Sequence, residues 1–207
     1  LFGKDVITTL ERTQTPEAYT KLAEDAFSIT EQFNWGNAQT EIVDYLTQKA
    51  DERLLKGSGK VAQIYTLKNI QIGKNAPDLV IKKNNKTTIV SSKKFAKKGF
   101  AKTVLVFYKS GCGSCEALMQ QLPNSYNQLK NKGIDVIAIS SDKDEEVFKE
   151  TAKNFPWERT YCDFEGKENI NFKNYAVSAT PTLFLIDKKG KIEAKMATMQ
   201  EVLELLN

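Results

Sequence analysis

The sequence predicts an α/β domain behind a helical N-terminal extension, and three observations carry that expectation. Val104-Leu105-Val106-Phe107-Tyr108 is a continuous apolar run of strand length, the pattern of a strand buried on both faces. The stretch Cys115 to Lys132 then repeats Leu118, Met119, Leu122, Tyr126 and Leu129 at helical spacing, and Ile134 to Ile139 is a second buried-type run. Strand, helix and strand in that order make a crossover, which is right-handed and parallel in nearly all folds. Ahead of residue 58 the texture differs: amphipathic helix, with no strand signal.

In the N-terminal part, Thr15-Pro16-Glu17 supplies an N-cap, a proline at the first helical position and an acid in the first turn. Tyr19, Leu22, Ala26, Ile29 and Phe33 then line one face until Asn34 to Asn37 interrupt it. A second stripe, Ile42, Val43, Leu46, Ala50 and Leu54, ends at Gly57-Ser58-Gly59. Residues 1–57 are therefore expected to form a helical appendage whose apolar faces pack on each other, and residues 58–207 the α/β domain.

Within that domain, Val61 to Ile72 fits neither a helix nor a strand decisively. Leu79 to Lys82 and Thr87 to Val90 read as a hairpin across Lys83 to Lys86. The lysine-rich Lys93 to Lys98 reads as a solvated loop. Pro123 stands inside the helix after Cys115, and Gly133 ends it. Asp142 to Asn154 reads as a charged helix and Ile170 to Tyr175 as a short one. Thr182 to Ile186 is a strand, Asp187 to Lys191 a turn, Lys191 to Met196 a returning strand and Met199 to Leu206 a covering helix.

Composition narrows the chemistry. Apolar residues make up 41% and charged residues 27%, as in an ordinary globular protein, and no apolar run approaches bilayer length. A net charge of +4 spread over many lysines is no nucleic-acid footprint. Histidine is absent, which excludes Ser-His and Cys-His catalysis and His-ligated zinc or copper together. The chain begins at Leu1 rather than methionine, which points to an N-terminus processed or trimmed away, so any targeting segment or membrane tether is expected ahead of it.

Three cysteines are too few for a disulfide scaffold, and two of them form Cys112-Gly113-Ser114-Cys115 where a buried strand gives way to a helix. There the first sulfur faces unpaired helix amides, which favour a thiolate, and the second lies one turn deeper on the same side. Cys112 is the expected attacking thiolate and Cys115 the resolving thiol. A buried structural pair or half of a zinc site are the competing uses, and zinc would need further soft ligands when only Cys162 remains. Cys162 itself reads as a small buried hydrophobe against a third redox thiol. Trp157 reads as a core aromatic against a platform at the site's rim. Thr180-Pro181-Thr182 opens the strand Leu183 to Ile186, where proline suits a strand's first residue; taken alone, a trans bond is expected.

Three landmarks in order carry a resemblance over about residues 70–196. They are Ile72-Gly73-Lys74-Asn75-Ala76-Pro77-Asp78-Leu79, then Val104 to Tyr108 with Cys112 to Cys115, then Tyr175-Ala176-Val177-Ser178-Ala179-Thr180-Pro181-Thr182-Leu183-Phe184-Leu185-Ile186-Asp187. This set resembles the TlpA/ResA-like branch of the thioredoxin superfamily. The resemblance implies a thioredoxin-like three-layer α/β/α sandwich and a thiol-disulfide oxidoreductase needing no cofactor beyond its own thiols. Its partners would be protein dithiols or disulfides and an upstream thiol electron donor, in an extracytoplasmic bacterial setting (periplasm or envelope). It also implies a cis Pro181 beside the sulfurs, a Thr180 backbone that pairs with an extended substrate segment, and Gly113, Ser114, Thr180 and Pro181 as substrate-binding residues.

The departures are specific. Gly111 stands where the family usually has tryptophan and Ser114 where proline is common, which predicts a more open site. The buried acid that thioredoxins carry on the preceding strand would fall near Val106, and the glutamate that ResA-like proteins carry would fall at Leu118. Glu116 as a proton relay and Lys109 as a thiolate-favouring charge each compete with an ordinary solvated role. Two other functions stand beside the reductase. One is a protein-binding or scaffolding module in which the cysteines are incidental. The other is a thiol peroxidase, disfavoured because Lys109 occupies the place where peroxiredoxins need threonine.

Overall fold

A computed structural model describes residues 1–33, 35–48, 54, 59–83 and 86–206. Asn34, Ala50, Gly57, Ser58 and the hairpin turn at 84–85 lie outside the described residues. The chain divides into two units, Leu1–Asn69 and Ile70–Asn207.

The first unit contains α1 (Phe2–Arg12), α2 (Pro16–Gln32), α3 (Gly36–Gln48) and α4 (Gly59–Asn69). Pro16 opens α2 behind Thr15, as the sequence signal requires. Each helix buries one stripe: Val6 and Leu10, then Tyr19, Ala23 and Phe27, then Ile42, Val43 and Leu46, then Val61, Ile64 and Leu67. Burying each of the larger side chains contributes about 1.5–3 kcal/mol. Gly3 permits the close packing of α1 on α3, because a side chain there would run into Glu41. Lys60 of α4 donates to the Ser28 hydroxyl, and Gln63 donates to Glu31 at 2.9 Å, joining α4 to α2. The helical unit thus runs to Asn69, past the expected end at residue 57. Its last helix is rich in β-branched and aromatic residues, whose local preference is ambiguous, and burial of the three-residue stripe decides it.

In the second unit, β1 (Leu79–Lys83) and β2 (Lys86–Val90) form an antiparallel pair. A five-stranded sheet contains β3 (Lys102–Tyr108), β4 (Ile134–Ser140), β5 (Arg159–Cys162), β6 (Thr182–Asp187) and β7 (Ile192–Met196), in the spatial order β5-β4-β3-β6-β7. β3, β4 and β5 are parallel, while β6 runs antiparallel to β3 and β7 antiparallel to β6. Between the strands lie α5 (Gly113–Asn131), α6 (Glu145–Ala152) and α7 (Ile170–Asn174), with α8 (Met199–Glu204) after them.

Strand alternation sends side chains to two faces. On one, Val104, Val106 and Tyr108 meet Leu118, Leu122 and Leu129 of α5 and Val202 of α8. On the other, Phe107 packs on Phe172, Tyr175 and Phe184, with ring centroids 5.0, 5.1 and 6.1 Å away. Asn171 joins the hairpin to this layer, accepting from the Val80 amide and donating to its carbonyl, each at 2.8 Å. α5 continues through Pro123. α6 starts later than expected: Asp144 is its N-cap, accepting from Glu146 and Val147, which leaves Asp142 outside the helix. The Lys93 to Lys98 loop is not wholly solvated, because Phe95 within it is fully buried.

A buried ion pair ties three elements together. Arg159 donates to Asp135 at 2.7 Å and to the Phe95 carbonyl at 2.6 Å. Tyr126 of α5 donates to the same carboxylate at 3.2 Å, and burial, followed by the Asp135 charge, pushes its hydroxyl up to about 12. Removing one member strands the other, so Arg159→Met should cost about 3 kcal/mol in urea unfolding. The double substitution Asp135→Asn with Arg159→Met should recover at least about half of that. Additive losses would show that the two residues are not coupled.

Candidate active site

β3 ends at Tyr108, and Lys109-Ser110-Gly111 lead from it to α5. Gly111 has φ +71, a left-handed conformation that disfavours any side chain, so the turn requires glycine although a Cβ would meet nothing within 4 Å. Cys112 is the N-cap of α5, with φ −93 and ψ 117, and its carbonyl accepts from the Glu116 amide at 2.8 Å. Its side chain is half-buried. Cys115, one turn on, is 1% exposed and belongs to the apolar cluster that includes Val106, Tyr108, Leu118 and Met119. One interval of three residues therefore places one sulfur at the surface and the other in the core. Both are free thiols.

The loop before β6 closes over the first sulfur. The Thr180–Pro181 bond is cis, as the resemblance implies, and Pro181 is buried. The Cys112 thiol lies 3.6 Å from the Thr180 carbonyl, and the Thr180 hydroxyl 4.0 Å from the sulfur. Ser114 stands between them, its hydroxyl 3.4 Å from the Cys112 sulfur and 3.4 Å from the Thr180 carbonyl. A hydroxyl so placed has two settings. Beside a thiol it donates to the carbonyl; beside a thiolate it turns to the sulfur. Cys112, Cys115, Gly113, Ser114, Thr180 and Pro181 are thus brought to one place.

The two sulfurs differ sharply in acidity. The Ser114 hydroxyl is the chief reason that the Cys112 thiol is lowered to about 7. The Cys115 backbone N–H follows, pointing at the sulfur without closing a full capping bond, while partial burial opposes both. Burial pushes Cys115 up to about 11, opposed in part by the Thr180 side chain and the Lys109 backbone N–H. Val106 and Leu118, the two positions where the resemblance would place acids, are both core residues here and offer Cys115 no charge or acceptor.

Other residues fall differently from their sequence readings. Glu116 is exposed on the first turn. The Lys109 side chain is exposed, and its backbone rather than its ammonium reaches the site. Trp157 is 3% exposed and stacks on Phe155 with centroids 4.8 Å apart, so it is a core aromatic. Cys162 ends β5 half-buried; its thiol donates to the Asp142 carbonyl at 3.2 Å, a polar role rather than that of a buried hydrophobe. No motif in the sequence marks Asp142 or Ser110 as part of the site. Ser110 donates to the Asp142 carboxylate through its amide at 2.9 Å and its hydroxyl at 2.7 Å. The available signal is an acid just past a buried strand, two residues ahead of a second acid of the same capping type.

A family model described as thioredoxin-like matches residues 99–192. The thiol-disulfide oxidoreductase ResA of Bacillus thuringiensis subsp. konkukian (strain 97-27) is 34% identical over 139 residues, covering 65% of this chain and 76% of that protein. Human nucleoredoxin is 31% identical over 99 residues, covering 46% of this chain and 22% of its own. Among solved structures, a thioredoxin-like protein from Parabacteroides distasonis ATCC 8503 superposes with a TM-score of 0.51 at 26% identity, covering 67% of this chain and 96% of that one. The thioredoxin domain of a thiol-disulfide oxidoreductase from Bacteroides vulgatus has a TM-score of 0.52 at 22% identity, covering 66% and 99%, and shares the fold.

Thiolate absorbance of the reduced chain should rise first in a step centred near pH 7, from Cys112, and again only at distinctly higher pH, where Cys115 titrates near 11 and burial holds Cys162 above its ordinary value. Ser114→Ala should move the first step up by about one pH unit, since the lost bond favours only the charged sulfur. A first step that does not move would remove Ser114 as the main cause.

Proposed function

Because the chain belongs to the thioredoxin-like family of thiol-disulfide oxidoreductases, we propose that it exchanges disulfides with protein partners through Cys112 and Cys115, acting as a reductase. One observation carries this reading: a solvent-reachable sulfur caps α5 beside the Ser114 hydroxyl and the Thr180 carbonyl, while a second sulfur lies buried one turn behind it. The Cys112 thiolate attacks one sulfur of a partner disulfide, forming a mixed disulfide and expelling the other sulfur as a thiolate. Cys115 gives up its proton and attacks the Cys112 sulfur, closing the Cys112–Cys115 disulfide and releasing the second partner sulfur. Two electrons pass to the partner, and an upstream dithiol donor restores the pair.

The acidity of Cys112 supports the reducing direction. An attacking thiol with a pKa near ambient pH combines a large thiolate fraction with high intrinsic nucleophilicity. Strongly oxidising thiol-disulfide oxidoreductases can hold the attacking sulfur far lower, at about 3.5, which stabilises their reduced form. At about 7, Cys112 sits beside the reducing type.

Substrate contact is assigned to Gly113, Ser114, Thr180 and Pro181. A side chain on Gly111 or Gly113 would meet nothing within 4 Å, which suits approach by a folded partner. Ionisation of Cys112 ends its donation to the Thr180 carbonyl and turns the Ser114 hydroxyl toward the sulfur. The carbonyl is then free to accept an amide from an extended partner segment, so the site opens to substrate as the nucleophile is armed. The same relationship to ResA-type proteins supports an extracytoplasmic setting, and recovery in the envelope fraction of the native host, not in the cytosol, is the expected result.

Cys115→Ser should accumulate mixed disulfides on Cys112 in the native host, visible as high-mass species on non-reducing gels that collapse on reduction. Cys112→Ser should accumulate none. Equal trapping by both variants, or trapping by neither alongside inertness toward insulin-type disulfides, would favour a binding module in which the cysteines are incidental.

A further inference from the structure

Beyond the last paired residues of β3 and β4, Tyr108 and Ser140, the two chains continue side by side. The Ser141 amide donates to the Tyr108 carbonyl at 3.0 Å, a final backbone rung. The next rung is made by a side chain. The Asp142 carboxylate accepts the Ser110 amide on one oxygen at 2.9 Å and the Ser110 hydroxyl on the other at 2.7 Å. Ser110 precedes Cys112 by two residues, and Gly111 between them has no side chain with which to brace the turn.

The backbone of Asp142 is itself held firmly. Its own amide donates to the Ser140 hydroxyl of β4 at 2.9 Å, and its carbonyl accepts the Cys162 thiol at the end of β5 at 3.2 Å. Asp142 is 4% exposed, and among the described residues no lysine or arginine pairs with it. A buried carboxylate without a cation is costly unless fixed donors satisfy it. Both of its donors belong to the loop that delivers the nucleophile.

We propose that Asp142 is a positioning residue for Cys112, pinning the loop through Ser110 so that the sulfur is held against Ser114 and the Thr180 carbonyl. This rests on the reading of Cys112 as the attacking thiol. The contacts that Asp142 preserves are long, 3.4 and 3.6 Å, so a loop free to drift by about half an ångström loses them. Asparagine in its place keeps the fork: its carbonyl accepts the Ser110 amide and its NH2 donates to the Ser110 hydroxyl. Alanine keeps neither bond, and Ser110→Ala removes only the hydroxyl bond, from a half-buried loop position.

The test is thiolate absorbance against pH on the reduced full chain, with Cys112→Ser identifying the step that belongs to Cys112. Asp142→Ala should raise that step by at least about one pH unit, so that the thiolate fraction at pH 7 falls at least about fivefold. Ser110→Ala should raise it by less, and Asp142→Asn should stay close to the parent. The proposal is overturned if Asp142→Ala, or Ser110→Ala where the first does not fold, leaves the step in place. It is also overturned if Asn and Ala at 142 shift it alike, since charge and not position would then be acting. A low step that survives Cys112→Ser belongs to another cysteine and sinks the reading of Cys112 itself, separately from any effect of Asp142.

Discussion

Two sulfurs three residues apart sit in two different media, and the chemistry of this protein depends on that separation. The first turn of α5 begins outside the sheet and rotates into it, so Cys112 meets hydroxyls and amides while Cys115 meets Val106, Leu118 and the ring of Tyr108. Desolvation disfavours a thiolate, and hydrogen bonding to the charged form favours one. The same helix therefore makes one sulfur a nucleophile near pH 7 and keeps the other protonated until a mixed disulfide presents itself. Neither effect needs an ionic partner, which fits a site without histidine.

What replaces the missing charges is a set of small polar groups. Ser114 is the largest influence on Cys112, and it stands where the resemblance implies proline, a residue that could offer the sulfur no hydroxyl. Gly111 stands where the resemblance implies tryptophan as the usual residue, and its left-handed backbone makes that departure a matter of conformation as well as size. Site and scaffold also meet at the far end of the sheet. The Asp135–Arg159 pair fixes β5 against β4 and α5 at one end, and β5 ends at Cys162, which supports the Asp142 backbone at the other.

Much of the second unit was legible. The runs at β3 and β4 and the stripe of α5 have the continuous and 3.6-residue patterns that burial on two faces and on one face demand. Less of the first unit was. α1 carries Val6 and Leu10 at helical spacing but opens at Leu1 without the capping residue type and proline that mark the start of α2 at Thr15-Pro16, although neither N-cap side chain bonds its helix. α4 mixes β-branched and aromatic residues that only its burial against α2 and α3 makes helical. α6 starts at Glu145 and not at Asp142; Asp142 and Asp144 are equally good caps as residue types, and local sequence does not say which faces the helix.

The sequence by itself determined the pair Cys112 and Cys115, their place between a buried strand and an amphipathic helix, and the proline ahead of β6, because strand and helix periods and the chemistry of a two-residue spacer are local properties. Only the tertiary structure decided that Ser114 and Thr180 meet the same sulfur and that Asp142 reaches Ser110. Those contacts join residues 66 and 32 positions apart in the chain. Nothing but the packing of β6 and β4 on either side of β3 brings such distant segments within hydrogen-bond range.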